Sequence, residues 1–285
     1  MPSLLKFADS EYTYDDAYFV IFGVPFDGTT SFRGGARFAP NAIREASINL
    51  ESFIYDNKFL LKNAKIHDMG NLDEHGKVED VVDDTKFTIE KLLDEKKFPI
   101  MLGGEHSITI GSAKALKNYD YAILFIDAHS DFRSEYLDVE FSHACVSRRA
   151  FEYLGKERIA SIGVRSVSPE EFNDEYFKDF YHLSAKFVHE NGIEKSLDMV
   201  LDRLNGRNIY LSIDMDGLDP SFAPGVATPE PFGLTTWDLR YIINNIGKRL
   251  IGADIVEISP PFDNGNTSML AARLVQEIIS SKNVF

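Results

Sequence analysis

Short, unbroken apolar runs alternate along this chain with polar loops and with segments of helical period. Continuous apolar runs are typical of strands that are covered on both faces of a sheet, whereas strands with one wet face show a two-residue alternation. The runs lie at Tyr18–Val24, Phe98–Leu102, Tyr121–Ile126, Arg158–Val164, Asn208–Ile213 and Leu250–Val256, with a weaker candidate at Lys65–Asp68.

Helical periodicity occupies several of the intervening segments. The clearest apolar stripe, at spacings of three and four, consists of Val78, Val81, Val82, Ile89, Leu92 and Leu93. Helices are also indicated at Arg240–Ile246 and Ser268–Ile279, and Trp237, which begins the former pattern, is expected in the core. Strands that alternate with helices predict an α/β fold with three α-β-α layers around a central, mainly parallel sheet. Because no low-complexity tract or composition break divides the chain, we expect one domain over residues 1–285.

Polar side chains of the kind that bind metals begin where the buried runs stop. The motifs GGEHS (103–107), DAHSD (127–131) and DMDGLDP (214–220) each follow such a run, and Glu257 follows another. Each motif alone is common turn or capping chemistry. Parallel strands, however, direct their carboxyl ends to one crevice. The motifs together therefore predict a metal site made of His106, Asp127, His129, Asp131, Asp214 and Asp216.

The composition of this ligand set favours two divalent cations. Four carboxylates and two neutral imidazoles carry a summed charge of −4, which two such ions neutralise. Carboxylate and imidazole ligands without a thiolate suit Mn²⁺ better than a cysteine-rich zinc site would. Two ions about 3.5–4 Å apart would share one water and lower its pKa towards neutrality. The set therefore indicates a dinuclear site that activates water.

The charge balance narrows the classes of partner. Lys and Arg number 30 against 45 Asp and Glu, which gives a formal net charge of −15 and a sequence pI near 4.9. A nucleic-acid partner is not expected, because phosphate contacts need clustered basic residues. An acidic chain is compatible with a small cationic substrate.

Cysteine usage and hydropathy bear on the compartment. The single cysteine, Cys145, excludes an internal disulfide and suits a reducing environment. The first sixteen residues contain neither the basic nor the apolar region of a signal peptide. The longest apolar stretch, Ala17–Phe26, is shorter than the ~20 residues that a bilayer requires. We expect a cytoplasmic protein without a membrane segment.

At these motifs the sequence resembles the ureohydrolases, the family of arginase, agmatinase and their relatives. The resemblance covers nearly the whole chain, from GVPFDGTTSFRGGARFAPNAIREAS (23–47) through GGEHS, DAHSD, SHACVSRRA (142–150) and SIDMDGLDP (212–220) to VEISPPFD (256–263). The combination of GGEHS, DAHSD and SIDMDGLDP in this order and spacing is highly specific. The resemblance implies an arginase-like fold, two Mn²⁺ per subunit and a homo-oligomer, either a trimer or a hexamer.

The resemblance also assigns the metal ligands. One ion would be held by His106, Asp127, Asp131 and Asp214, and the other by His129, Asp127, Asp214 and Asp216. Asp127 and Asp214 would therefore bridge the two ions.

Three residues would act on the substrate or on protons. Glu257 would hold the substrate guanidinium, which a carboxylate matches in a planar, bidentate pairing. Asp131 would pass a proton from the attacking water to the leaving amine, while His143 would bind near the substrate and exchange protons with solvent. By position alone, His143 is equally well an ordinary histidine at the start of a helix.

The segment after DAHSD bears on the substrate. Arginases carry there an Asn-containing run that ends in S-G-N-I-H-G and recognises the amino-acid head of arginine, whereas this chain has FRSEYLDVEFSH (132–143). The resemblance therefore favours an agmatinase, which releases urea and putrescine from agmatine. Aminopropylagmatine and 4-guanidinobutyrate are alternatives, since Glu135, Asp138 and Glu140 could attract a second amine and Arg133 could accept a carboxylate.

Two functions of other classes are less consistent with the residues. A deacetylase of related fold would use a single zinc and would need fewer ligands than the six found. A catalytically silent metal-binding relative would have lost one of His106, Asp131, His143 or Glu257, and all four are present. Only a ureohydrolase is expected to release urea from a guanidine.

Overall fold

One eight-stranded sheet organises the computed structural model, which describes residues 5–283. Residues 1–4 and 284–285, to which the predictions of one domain and of no targeting segment also extend, lie outside the described residues. The strands, numbered in chain order, are β1 Phe19–Val24, β2 Phe53–Ile54, β3 Phe59–Leu60, β4 Ile66–Asn71, β5 Phe98–Gly103, β6 Tyr121–Ile126, β7 Ile159–Val164, β8 His182–Ser184, β9 Asn208–Asp214 and β10 Leu250–Val256.

The large sheet is parallel throughout, in the order β4-β1-β5-β10-β9-β6-β7-β8. The six continuous apolar runs correspond to β1, β5, β6, β7, β9 and β10, whose residues are almost all buried. The weaker candidate at Lys65–Asp68 is β4. The sequence pattern missed the edge strand β8, which has three residues, and the antiparallel hairpin of β2 and β3.

Nine helices accompany these strands within residues 5–283: α1 Ala39–Ser47, α2 Val78–Asp94, α3 Thr109–Leu116, α4 Val146–Leu154, α5 Pro169–Phe172, α6 Ala185–Asn191, α7 Ile193–Arg203, α8 Thr236–Ile246 and α9 Asn266–Asn283. Successive residues of each strand point to opposite faces, and they enter two separate hydrophobic clusters. Ile21 of β1, for example, packs in the cluster that contains α1, α7, α8 and α9, whereas Val20 packs in the cluster that contains α2, α3 and α4. The predicted three-layer α-β-α fold is confirmed.

Trp237 is the clear error among the core predictions. It lies in the first turn of α8, where its side chain is 70% exposed and the Arg240 guanidinium carbon lies 5.2 Å from its ring centroid. The buried face of α8 is formed by Leu239, Ile242, Ile243 and Ile246. Trp237 lies outside this stripe, and large aromatic residues are not obliged to be buried.

None of the helices within residues 5–283 combines the length and the apolar sequence that a bilayer crossing requires.

Candidate active site

The predicted site residues follow four strands that are neighbours in the sheet. The order β5-β10-β9-β6 brings the segments after these strands to one edge. β5 leads to His106, β10 to Glu257, β9 to Asp214 and Asp216, and β6 to the 127–131 motif. These segments line a cavity of about 250 Å³. Its wall includes five of the six predicted ligands together with His143 and Glu257, and the sixth ligand, Asp127, is buried beneath them.

Within residues 5–283, His106, Asp127 and Asp214 form the first of two groups that could hold a metal ion. Nδ1 of His106 lies 3.2 Å from Oδ2 of Asp127, 3.1 Å from Oδ2 of Asp131 and 3.2 Å from Oδ2 of Asp214. Within the described part of the chain, neither Nδ1 of His106 nor Oδ2 of Asp127 has a hydrogen-bond partner. Buried polar atoms are normally paired, so this arrangement of one nitrogen and three oxygens fits a cation.

Asp127, His129 and Asp216 form the second group. Nδ1 of His129 lies 3.1 Å from Oδ2 of Asp216 and 3.8 Å from Oδ1 of Asp127. Asp127 thus presents one carboxylate oxygen to each group, as expected of a bridging ligand. The predicted bridge through Asp214 is less developed, since Asp214 belongs only to the first group.

A hydrogen-bond chain behind His106 fixes its tautomer. The hydroxyl of Ser212 donates to Oδ1 of Asp254 at 2.6 Å, so its oxygen can accept from Nε2–H of His106 at 3.1 Å. With its proton on Nε2, the neutral imidazole would present Nδ1 to a bound cation. Metal-binding histidines commonly donate their second nitrogen in this way.

The raised pKa values of two carboxyl groups in the cluster indicate that a bound cation would stabilise their ionised forms. Burial and the charge of Asp216 raise the pKa of Asp214 well above its ordinary value. Burial and the charge of Asp127 raise the pKa of Asp131 to about 7. Burying several carboxylates together disfavours their ionised forms unless a cation compensates them. The donor set and its charge therefore fit two divalent ions.

Glu257 is buried beside this cluster, and a backbone N–H of the cluster holds its carboxylate in place. Its Oε1 accepts a hydrogen bond of 2.6 Å from the backbone N–H of His106. Burial and the nearby charge of Glu105 raise its pKa well above the ordinary value. Glu257 and Asp131 both adopt left-handed backbone conformations, with φ of 65° and 47°. Such strain in residues with side chains is concentrated at functional sites.

His143 lies on the cavity wall at the start of a short 3₁₀ helix. The hydroxyl of Thr29 donates to Oε1 of Glu105 at 2.6 Å and accepts the backbone N–H of His143 at 3.0 Å. Oγ1 of Thr29 and Oγ of Ser142 lie 3.2 and 3.3 Å from Nδ1 of His143, so two hydroxyl groups contact this nitrogen. Burial lowers the pKa of this residue.

The cavity rim contains only one of the four charged residues that the sequence suggested for the far end of a substrate. Arg133 lines the cavity. Of the described lining residues, none is Glu135, Asp138 or Glu140; all three are exposed, and Glu140 lies 3.8 Å from Arg149. These acidic side chains therefore do not form a pocket for a second amine.

Two residues that support the site were missed from the sequence. Glu171 is buried, and it accepts hydrogen bonds from the Ser130 hydroxyl and the Phe132 backbone N–H, so it holds the 127–131 loop. The S-x-x-E capping signature from Ser168 reveals its helix position but not that contact. Arg165 donates to the carbonyls of Asp216, Gly217 and Glu230 among others, and its sequence context gave no signal.

Comparison with known proteins agrees with this geometry. The sequence model of the Arginase family matches residues 17–280. The chain belongs to the arginase family. It is 40% identical to the agmatinase of Halalkalibacterium halodurans over 280 residues, which cover 96% of this chain and 95% of that protein. It is 37% identical to the N(1)-aminopropylagmatine ureohydrolase of Thermococcus kodakarensis, with 92% and 89% covered.

A solved member of the family has nearly the same fold. The crystal structure of the agmatine ureohydrolase of Thermoplasma volcanium superposes with a TM-score of 0.95 at 48% identity, covering 99% of this chain and 95% of that one. The family membership makes this protein an agmatinase-type ureohydrolase, a hydrolase of guanidino compounds.

Proposed function

We propose that this protein hydrolyses agmatine to putrescine and urea with two Mn²⁺ ions per subunit. The observation that carries the proposal is the placement of Glu257, a buried carboxylate on the cavity wall held by the backbone of the metal-group residue His106. A carboxylate in this position can bind a planar guanidinium through paired hydrogen bonds. The agmatinase relatives support agmatine as the substrate that contains this guanidinium.

The ions would be held as the family resemblance assigns them, one by His106, Asp127, Asp131 and Asp214 and the other by His129, Asp127, Asp214 and Asp216. Ions at these ligands would supply an activated water for the attack on the guanidinium carbon. The oxygen and imidazole donors, with no thiolate among them, support manganese as the metal.

The remaining chemistry falls to side chains of this chain. Asp131, a carboxylate on the cavity wall, would accept the proton of the attacking water and return it to the leaving amine. His143, on the cavity wall, is suited to exchange protons between the cavity and solvent. Glu257 orients the guanidinium so that urea and a primary amine leave.

A panel of guanidino substrates tests the proposal. After loading with Mn²⁺, kcat/KM for urea release from agmatine or aminopropylagmatine should exceed that from arginine by at least about 100-fold, which is ~2.7 kcal/mol. Arginine brings an α-amino-acid head, and segment 132–143 lacks the Asn-containing run with which arginases recognise it; polar groups left without their partners are costly. Urea from none of the substrates would refute the proposal, and a preference for arginine would refute the agmatinase assignment.

A second candidate substrate is 4-guanidinobutyrate, because Arg133 lines the cavity and could pair with its carboxylate. The same panel, with this compound included, separates it from agmatine.

We further propose, on the resemblance alone, a cytoplasmic homo-oligomer, either a trimer or a hexamer. Light scattering during size-exclusion chromatography measures the number of subunits.

Strands drawn from residue 19 to residue 256 into one sheet support the proposal that the chain is one domain.

A further inference from the structure

The guanidinium of Arg133, at the cavity rim, forms an ion pair with a surface carboxylate. Nη1 of Arg133 lies 2.6 Å from Oε2 of Glu170, in the first turn of α5, and its guanidinium carbon lies 5.1 Å from the ring centroid of Tyr136. The Arg133 side chain is 26% exposed, whereas that of Glu170 is 81% exposed. The ion pair therefore joins the cavity wall to the protein surface.

The net charge of this pair affects which kind of substrate tail the cavity rim attracts. An unpaired guanidinium at the rim would attract a carboxylate and repel an ammonium group, whereas an ion pair presents little net charge. Exposed ion pairs add little to stability. The effect of Glu170 on the local potential thus matters more than its contribution to folding.

Among the described acidic groups, only Glu170 forms an ion pair with Arg133. Glu171 is buried and already accepts hydrogen bonds from the Phe132 and Ser168 backbone N–H groups and the Ser130 hydroxyl. Glu140 lies against Arg149 instead. Asp131, on the inner side of the cavity, lies against His106 in the metal cluster.

We propose that Glu170 is the residue that determines specificity for the substrate tail, acting by neutralising Arg133. It thereby admits a cationic guanidino compound and disfavours one that ends in a carboxylate. This inference rests on the proposed function of the same site. It adds a residue, outside the motifs and outside the cavity lining, that chooses between two classes of guanidino substrate.

A double-mutant cycle tests the inference on the Mn²⁺-loaded protein, with agmatine and 4-guanidinobutyrate as the two probes. Glu170→Gln leaves one uncompensated positive charge at the rim. It should therefore lower kcat/KM for agmatine about tenfold, through KM, and raise kcat/KM for 4-guanidinobutyrate about tenfold. A merely structural role would lower both. Arg133→Met should lower kcat/KM for 4-guanidinobutyrate and leave agmatine within about threefold.

The double variant decides whether Glu170 acts through Arg133. With no cation left to neutralise, Glu170→Gln combined with Arg133→Met should recover agmatine activity to within about threefold of the Arg133→Met variant. If the double variant is as poor with agmatine as Glu170→Gln alone, Glu170 contacts the amine itself and the inference is wrong. Glu140→Gln is the matched control and should leave the substrate ratio unchanged.

The outcomes for this inference and for the proposed function differ. If the unmodified protein prefers agmatine but Glu170→Gln leaves the substrate ratio unchanged, the inference fails and the proposed function stands. If the unmodified protein prefers 4-guanidinobutyrate, the proposed substrate is wrong before any variant is compared, and neutralisation of Arg133 by Glu170 is refuted with it.

Discussion

Oδ2 of Asp127 lies 3.2 Å from Nδ1 of His106, and both atoms are buried without a hydrogen-bond partner among residues 5–283. The other oxygen of Asp127 faces the group that contains His129 and Asp216. Asp127 is therefore the residue through which both candidate metal positions are linked.

Removal of this link should release both ions. We expect Asp127→Ala and Asp214→Ala each to lose both ions, because each residue is assigned as a bridge, whereas His106→Ala should weaken mainly one. Metal content after dialysis, measured by mass spectrometry, checks this. Asp219→Asn, in the same loop as Asp214 but outside both groups, is the control and should keep two ions. If Asp214→Ala keeps two ions at wild-type affinity, the ligand assignment is wrong.

Glu257 is expected to act on substrate and not on metal. Glu257→Gln keeps the shape that accepts the His106 backbone N–H but removes the charge that pairs with a guanidinium. We expect a loss of about 2–4 kcal/mol of transition-state binding, hence a kcat/KM for agmatine lower by about 30- to 1,000-fold. Metal content should remain two ions per subunit. An unchanged rate would show that Glu257 does not bind the guanidinium.

The buried pair of Arg44 and Asp68 is expected to stabilise the fold. Nε and Nη2 of Arg44 donate to the two carboxylate oxygens of Asp68 at 2.8 and 2.9 Å, and the Phe7 backbone N–H also donates to Asp68. Asp68→Ala would leave the Arg44 charge buried and unpaired, so the free energy of unfolding should fall by about 3–5 kcal/mol.

Urea unfolding of the metal-free protein measures this change. The matched control is Asp83→Ala, which removes an exposed partner of Lys114 at 2.6 Å and should cost at most about 1 kcal/mol. Equal effects from the two variants would contradict the role of burial.

Cys145 is expected to be unreactive in the folded protein. The thiol is buried, and burial, with the nearby charge of Asp131, raises its pKa to about 12. At pH 8 only about one thiol in 10⁴ would be the reactive thiolate. Labelling with a disulfide reagent should therefore be at least about 100-fold slower in the native protein than in guanidinium chloride. Fast labelling of the native protein would place Cys145 in an accessible, activated environment.

The sequence by itself predicted the layers of the fold and the chemistry at the strand ends. Both are local signals. Strands buried on both faces appear as unbroken apolar runs. The motif 127–131 places three of the six predicted metal ligands within five positions. Six strands and the three indicated helices were predicted in this way, whereas the short β8 and the hairpin of β2 and β3 carry too few residues for a pattern.

Only the tertiary structure decided which of these segments meet. His106 and Glu257 are 151 residues apart, yet they share a hydrogen bond because β5 and β10 are neighbours in the sheet. The orientation of His106 by Ser212 and the neutralisation of Arg133 by Glu170 depend in the same way on packing between distant elements. Local sequence spacing fixes which residue types are available, but the geometry of a contact is set by strand order and helix orientation. Trp237, by contrast, lies on the surface because it stands outside the apolar stripe of α8.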